Sequence, residues 1–278
     1  MKKNIQAEIL KSLNNTNIFL ENIFKSNSFS KKKLKDGLFE WSNEDEQFFR
    51  INPEKKIYFK NLLFLDNHYD ILIKNTKQFL NGNSANSVLL WGSRGTGKSS
   101  LVMSLYYSLK EKFSFSMIEI KFFQINSLPK ILRILEKEKQ KIIIFCDDFS
   151  FQLKDEKFIL FKNILEGSLR KNPNIIFYVT SNFRHLVRDK LNNNYLKSEI
   201  KDANENIVSL SDRFGIWIGF HNLSLDQYIK IIFHYSDFYK LKISKGIIKK
   251  KAIEWSIVRG SNSGREALNF VRYMMLEE

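Results

Sequence analysis

Short uninterrupted apolar runs alternate with stretches of helical periodicity through the middle of the chain. Five such runs predict β-strands, at residues 87–91, 117–120, 142–146, 175–179 and 216–220. Strands that are apolar on both faces are typical of a parallel sheet covered by helices on each side. Apolar spacing of three and four residues predicts helices at 67–81, 100–110 and 155–170. The pattern therefore predicts an α/β fold with a five-stranded parallel sheet.

The two ends of the chain show helical periodicity without strand runs. Ile5, Ile9 and Leu13 predict one amphipathic helix or a pair within residues 1–25. The lysines at 31–33 and 35 follow in a polar stretch that is typical of a linker or exposed turn. From Ser224 onward three more helices are predicted. We therefore expect three regions: an N-terminal helical extension and linker at 1–56, an α/β core at 57–222, and a small helical lid at 223–278.

The first predicted strand runs directly into a glycine-rich loop. Its residues fill the phosphate-binding pattern G-x-x-x-x-G-K-[ST], and a predicted helix follows. Gly92 and Gly97 allow the backbone to curl so that N–H groups point at phosphate oxygens. Lys98 can reach the β- and γ-phosphates, and Ser99 can bind Mg²⁺. The predicted nucleotide contacts are Gly92, Ser93, Arg94, Gly95, Thr96, Gly97, Lys98, Ser99 and Ser100.

Polar residues follow two of the later strands. Asp147 and Asp148 end the strand at 142–146, at the strand edge where open α/β sheets bind ligands. With the glycine loop expected on a neighbouring strand, Asp147 is a predicted Mg²⁺ ligand. Asp148 is predicted to orient or deprotonate the attacking water. Asn182, after the next strand, is predicted to contact that water or the γ-phosphate.

Two arginines are candidates for contacting phosphate oxygens. Arg213 precedes the last strand, where it could reach the γ-phosphate of a neighbouring subunit. Arg265 opens the final helix, from which it could fold over the nucleotide. The planar guanidinium matches phosphate oxygens and stays charged.

These motifs, in this order, resemble those of the AAA+ ATPases. The residues after the glycine loop that carry the resemblance are Asp147-Asp148, Thr180-Ser181-Asn182, Ser211-Asp212-Arg213-Phe214 and Ser263-Gly264-Arg265. The resemblance spans about residue 57 to the end. More narrowly, the chain resembles a bacterial branch of these proteins that is known as a domain-of-unknown-function family. The resemblance implies a P-loop NTPase fold, ATP and Mg²⁺ as cofactors, ATP hydrolysis, Arg213 as an arginine finger, and a homo-oligomer. Most AAA+ proteins have glutamate at the position of Asp148, which leaves the hydrolysis rate open.

Composition adds little to this interpretation. The net charge of +15 would suit a nucleic-acid-associated ATPase of the initiator or helicase-loader type, but an AT-rich coding bias produces the same lysine excess. The single cysteine excludes an intramolecular disulfide. No apolar run approaches a membrane span, so we expect a cytoplasmic protein. Three hypotheses remain: an ATPase that remodels an unknown protein partner, a nucleic-acid-associated ATPase, and an ATP-gated switch with little turnover.

Overall fold

The computed structural model describes residues 34–53, 56–152, 155–166, 172–186, 210 and 212–277. The helices predicted within residues 1–25 lie outside these ranges. The chain divides into two units, Met1–Leu34 and Lys35–Glu278, and the second is compact and contains the sheet and the helices described below.

A seven-stranded sheet forms the core of this second unit. Its strands are β1 (Gly37–Ser42), β2 (Gln47–Ile51), β3 (Val88–Gly92), β4 (Phe115–Ile120), β5 (Lys141–Cys146), β6 (Ile175–Ser181) and β7 (Ile216–Phe220). Their order across the sheet is β2-β1-β4-β5-β6-β3-β7, and every neighbouring pair is parallel except β1 and β2. All five strands predicted from the sequence are present. Strands β1 and β2 were not predicted, and the expected count of five was wrong.

The hairpin formed by β1 and β2 corrects the assignment of residues 35–53 to an extension and linker. Leu38 on β1 pairs with Met117 on β4, which extends the parallel sheet by one strand. Leu38 and Trp41 are buried, and the Gln124 side chain donates a hydrogen bond of 2.5 Å to the Trp41 carbonyl. Glu40 interrupts the apolar run, so the sequence lacks the continuous pattern by which the other strands were found. The α/β core thus begins well before residue 57.

The order of the strands corrects a second expectation. Strand β5, which Asp147 and Asp148 directly follow, is not the neighbour of β3, because β6 lies between them. The order of strands along a chain does not fix their order in a sheet, since a crossover can pass over a strand. The carboxyl ends of β3, β6 and β5 consequently bring the glycine loop, Asn182 and the acidic pair into one row.

Helices cover the sheet and form the lid. They are α1 (Asp66–Leu80), α2 (Lys98–Leu109), α3 (Leu128–Leu135), α4 (Glu156–Glu166), α5 (Leu225–Tyr239), α6 (Lys245–Arg259) and α7 (Gly264–Met274). The three lid helices, α5 to α7, share an apolar core that includes Tyr228, Ala252 and Phe270. No helix of the described residues is long and apolar enough to cross a membrane.

A buried hydroxyl joins α1 to the sheet. The Tyr178 hydroxyl on β6 lies 2.5 Å from the Thr76 hydroxyl and accepts a hydrogen bond of 3.2 Å from Asn75. Thr76 donates its own hydrogen to the Leu72 carbonyl, at 2.7 Å, so the tyrosine is the donor to Thr76. Burial raises the pKa of Tyr178 to about 12. The hydroxyl therefore stays protonated, as this bond requires.

We predict that Tyr178→Phe lowers the free energy of unfolding by about 1–3 kcal/mol, because it removes two hydrogen bonds between the tyrosine hydroxyl and buried side chains of α1. Urea unfolding of the two proteins measures the difference. Tyr58→Phe is the matched control, because the Tyr58 side chain is 46% exposed. Equal loss of stability in both variants would contradict the role given to the Tyr178 hydroxyl.

Candidate functional site

The glycine loop between β3 and α2 has a backbone that only glycine adopts easily. Gly92, Gly95 and Gly97 have φ angles of 126°, 72° and 101°. A Cβ atom on Gly92 would lie 2.0 Å from the carbonyl oxygen of Phe220. The Ser93 N–H donates to that same oxygen at 3.0 Å, which fixes the start of the loop against β7. No side chain caps the N-terminus of α2, so its first N–H groups are free to bind an anion.

The Lys98 ammonium lies inside this loop. Its Nζ donates to the carbonyl oxygens of Gly92 and Ser93, both at 2.7 Å, and to Asn182 Oδ1 at 3.3 Å. Only 7% of the residue is exposed. Burial lowers the pKa of Lys98 to about 8, against the opposing effect of Asp148 and Asp147, while Arg265 and Arg94 lower it further. The ammonium is thus held inside the loop by three oxygen atoms that carry no formal charge.

The first acidic residue forms a compact group of oxygen atoms with α2 and β6. Asp147 Oδ1 accepts hydrogen bonds from Ser99 Oγ at 2.5 Å and from Thr180 Oγ1 at 2.6 Å. The structure therefore brings together the two predicted Mg²⁺ ligands, Ser99 and Asp147. Thr180 was not predicted to take part, although a polar residue at the end of an apolar strand was a usable signal.

The second acidic residue faces solvent beside Asn182. Asp148 has a φ of 53°, and its N–H donates to Thr180 Oγ1 at 2.8 Å. The left-handed region is uncommon for non-glycine residues but is tolerated by aspartate. Asn182 Nδ2 donates to Asp148 Oδ1, while Asn182 Oδ1 accepts from Lys98. A continuous polar chain thus connects Lys98 to the exposed carboxylate of Asp148.

The lid contacts the glycine loop directly. The Arg265 N–H donates to the Gly95 carbonyl at 3.2 Å. A Cβ atom on Gly95 would lie 2.7 Å from the Ser263 hydroxyl oxygen, so the close contact requires glycine. Arg265 is also among the cations that lower the pKa of Lys98. The structure thus places the backbone of Arg265 beside the loop, and the contact of its guanidinium with a nucleotide stays a prediction.

Arg213 lies apart from these residues. Its Nη2 donates to Glu166 Oε1, at the end of α4, at 3.0 Å. The arginine side chain is 46% exposed. The structure therefore brings every predicted site residue near the loop except Arg213, which was expected to act on a neighbouring subunit.

The residues at this edge fit a nucleotide with Mg²⁺. Ser99 and Asp147 supply hard oxygen atoms, and Mg²⁺ commonly binds one or two protein oxygens together with phosphates and water. Among the described residues there is no cluster of three or more histidine, cysteine, aspartate or glutamate side chains that could hold a metal by itself. The arrangement suits a metal ion that is shared with a phosphate chain.

The strand order, the glycine loop after β3 and the polar ends of β5 and β6 define a P-loop ATPase fold of the AAA+ type. More narrowly, residues 35–278 match a family model described as "Protein of unknown function (DUF815)", and the chain belongs to that family. The expected resemblance to an uncharacterised branch of AAA+ proteins is thereby confirmed. A search of curated proteins found no match.

Solved structures share the fold at low sequence identity. ORC1 from Aeropyrum pernix, in complex with DNA, matches with a TM-score of 0.55 and 13% identity over 78% of this chain and 63% of its own. ORC2 from the same organism matches with a TM-score of 0.53 and 12% identity over 82% and 70%. A RuvB variant from Thermotoga maritima matches with a TM-score of 0.52 and 14% identity over 78% of this chain and 61% of its own. The chain thus spans less than two thirds of the RuvB and ORC1 chains, and the likeness shows the fold alone.

The lowered pKa of Lys98 leads to a prediction about pH. We expect ATP affinity to weaken as the pH rises through about 8, because the free protein then loses the ammonium charge that meets the phosphates. Fluorescent-nucleotide titrations from pH 7.5 to 9.5 measure the slope. Lys98→Ala should bind ATP much more weakly and show little slope in this range. A slope that is the same in both proteins would contradict the assignment.

Proposed function

We propose that this protein is a Mg²⁺-dependent ATPase that couples ATP hydrolysis to the rearrangement of a macromolecular partner. The observation that supports it most is the polar chain from Lys98 through Asn182 to Asp148, at the edge of the glycine loop. The chain links a phosphate-binding cation to an exposed carboxylate. A site that only held phosphates would not need that carboxylate.

Each residue has a separate role in this proposal. The loop N–H groups and Lys98 bind the β- and γ-phosphates of ATP, with Arg265 completing the site from the lid. When bound through Ser99 and Asp147, Mg²⁺ would supply charge neutralisation of the phosphate oxygens. Asp148 orients the attacking water and accepts its proton. Asn182 holds the Asp148 carboxylate and hydrogen-bonds the γ-phosphate or the attacking water.

Arg213 completes the site of a neighbouring subunit in this proposal, so the active form is an oligomer. Its guanidinium donates a hydrogen bond to Glu166, which is not one of the residues proposed to bind ATP in its own chain. The cations that affect Lys98 are Arg265 and Arg94. An arginine that acts on the nucleotide of a neighbouring subunit must be exposed and must lie away from the nucleotide site of its own subunit, and Arg213 meets both requirements.

An ATP-gated switch with little turnover is the alternative that a specific observation favours. Asp148 is one methylene shorter than glutamate, and Asn182 already occupies one of its oxygen atoms. A carboxylate held in this way could bind water too poorly for fast hydrolysis. A nucleic-acid partner is supported by the net charge of +15 and by the lysine clusters at 31–35 and 249–251, and DNA binding that falls steeply with salt would support it further.

The acidic pair allows a prediction that separates binding from hydrolysis. Asp147→Asn should lose the Mg²⁺-dependent part of ATP affinity, because a neutral amide is a poor ligand for a hard cation. Asp148→Asn should keep ATP affinity and slow turnover by about a hundredfold or more. Binding titrations with and without Mg²⁺, followed by turnover assays, measure both effects. Equal loss of affinity in the two variants would contradict the division of roles.

We also predict that turnover needs Arg213 from a second subunit. Arg213→Ala should bind ATP normally but hydrolyse it roughly a thousandfold more slowly, as expected for the loss of an arginine finger. Specific activity of the parental protein should rise with its concentration. Mixing Arg213→Ala with Asp148→Asn should restore activity, since some interfaces then pair an intact site with an intact arginine. Concentration-independent turnover without recovery on mixing would favour a monomer.

A further inference from the structure

Arg213 is paired with a carboxylate for which the proposed reaction gives no role. Glu166 lies on α4, and its Oε1 accepts the hydrogen bond from Arg213 Nη2 at 3.0 Å. The side chain of Glu166 is 29% exposed and that of Arg213 is 46% exposed. The pair therefore lies at the surface, where an incoming subunit can reach it.

The backbone on both sides of the pair is anchored. Leu210 and Phe214 are buried, and the Arg213 N–H donates to the Leu210 carbonyl at 3.2 Å. The Phe214 carbonyl accepts a hydrogen bond from the Trp217 indole at 3.0 Å. Glu166 follows the buried Ile164 on α4. With the backbone of Arg213 held, its side-chain torsions decide where its guanidinium points.

The hydrogen bond uses only part of the guanidinium. Arginine carries five N–H donors in a rigid planar fork, and Glu166 engages one nitrogen. The other nitrogens can still bind phosphate oxygens.

We propose that Glu166 is a positioning residue for Arg213. It holds the guanidinium in the orientation in which its free nitrogens meet the γ-phosphate of a neighbouring subunit. This inference rests on the proposed oligomeric ATPase. Without Glu166 the arginine samples several rotamers, and fewer of them reach the phosphate. ATP binding is unaffected, because the glycine loop and Lys98 of each subunit bind the nucleotide.

The test compares Glu166→Ala, Glu166→Gln and Glu166→Asp with the parental protein. We expect Glu166→Ala to lower kcat roughly two- to fivefold with little change in KM, which is the scale of one exposed charged pair. Glu166→Asp should retain more activity than Glu166→Ala. Glu156→Gln, at the exposed start of the same helix, is the control and should match the parent. If all three Glu166 variants keep the parental kcat while Arg213→Ala is impaired, the role proposed for Glu166 is wrong, and the proposed oligomeric ATPase still stands.

Two further measurements separate positioning from a structural effect. Glu166→Ala should cause no additional loss in an Arg213→Ala background, because its effect acts through that arginine. Excess Asp148→Asn subunits, which carry an intact Glu166 and Arg213, should restore the kcat of Glu166→Ala subunits. Failure to recover would place Glu166 in its own site and overturn the inference. If Arg213→Ala itself hydrolyses ATP at the parental rate, the proposed trans-acting arginine fails, and the role of Glu166 fails with it.

Discussion

The buried ammonium of Lys98 is the constraint on which this edge of the sheet depends. Burial disfavours its charge, and two backbone carbonyls with Asn182 supply the hydrogen bonds that compensate. Carbonyls can face the ammonium only because the loop curls tightly, which requires positive φ at its glycines. Phosphate oxygens are better partners for this cation than carbonyls are. The site is therefore built in advance around a charge that a nucleotide would satisfy.

The contact between the loop and the lid connects this site to the rest of the unit. The Arg265 N–H binds the Gly95 carbonyl, so a change in loop conformation acts directly on the first turn of α7. Helices α5 and α7 share the lid core with α6, which makes the three helices a single packed element. A nucleotide that reorganised the loop could thus shift the lid as one body. In the proposed function, this contact is the route by which nucleotide binding would act on the lid.

Much of this arrangement could be predicted from local pattern, and the exceptions have physical causes. Continuous apolar runs identified β3 to β7, since β3, β4, β5 and β6 are buried on both faces and β7, at the edge of the sheet, is still apolar. The hairpin at 37–51 was missed because Glu40 breaks its run. The position of β6 between β3 and β5 follows from tertiary pairing, which local periodicity does not contain. The hydrogen bonds of Thr180 and the pair between Glu166 and Arg213 depend on the same long-range packing.

The most direct test of the central claim is a single-turnover experiment with the parental protein in excess over radiolabelled ATP. A site in which Asp148 activates water should convert all bound ATP to ADP and phosphate, and only when Mg²⁺ is present. The protein concentration must be high enough for subunits to associate. Release of intact ATP after long incubation with Mg²⁺, from protein shown to bind it, would contradict the ATPase proposal. That result would favour an ATP-gated switch.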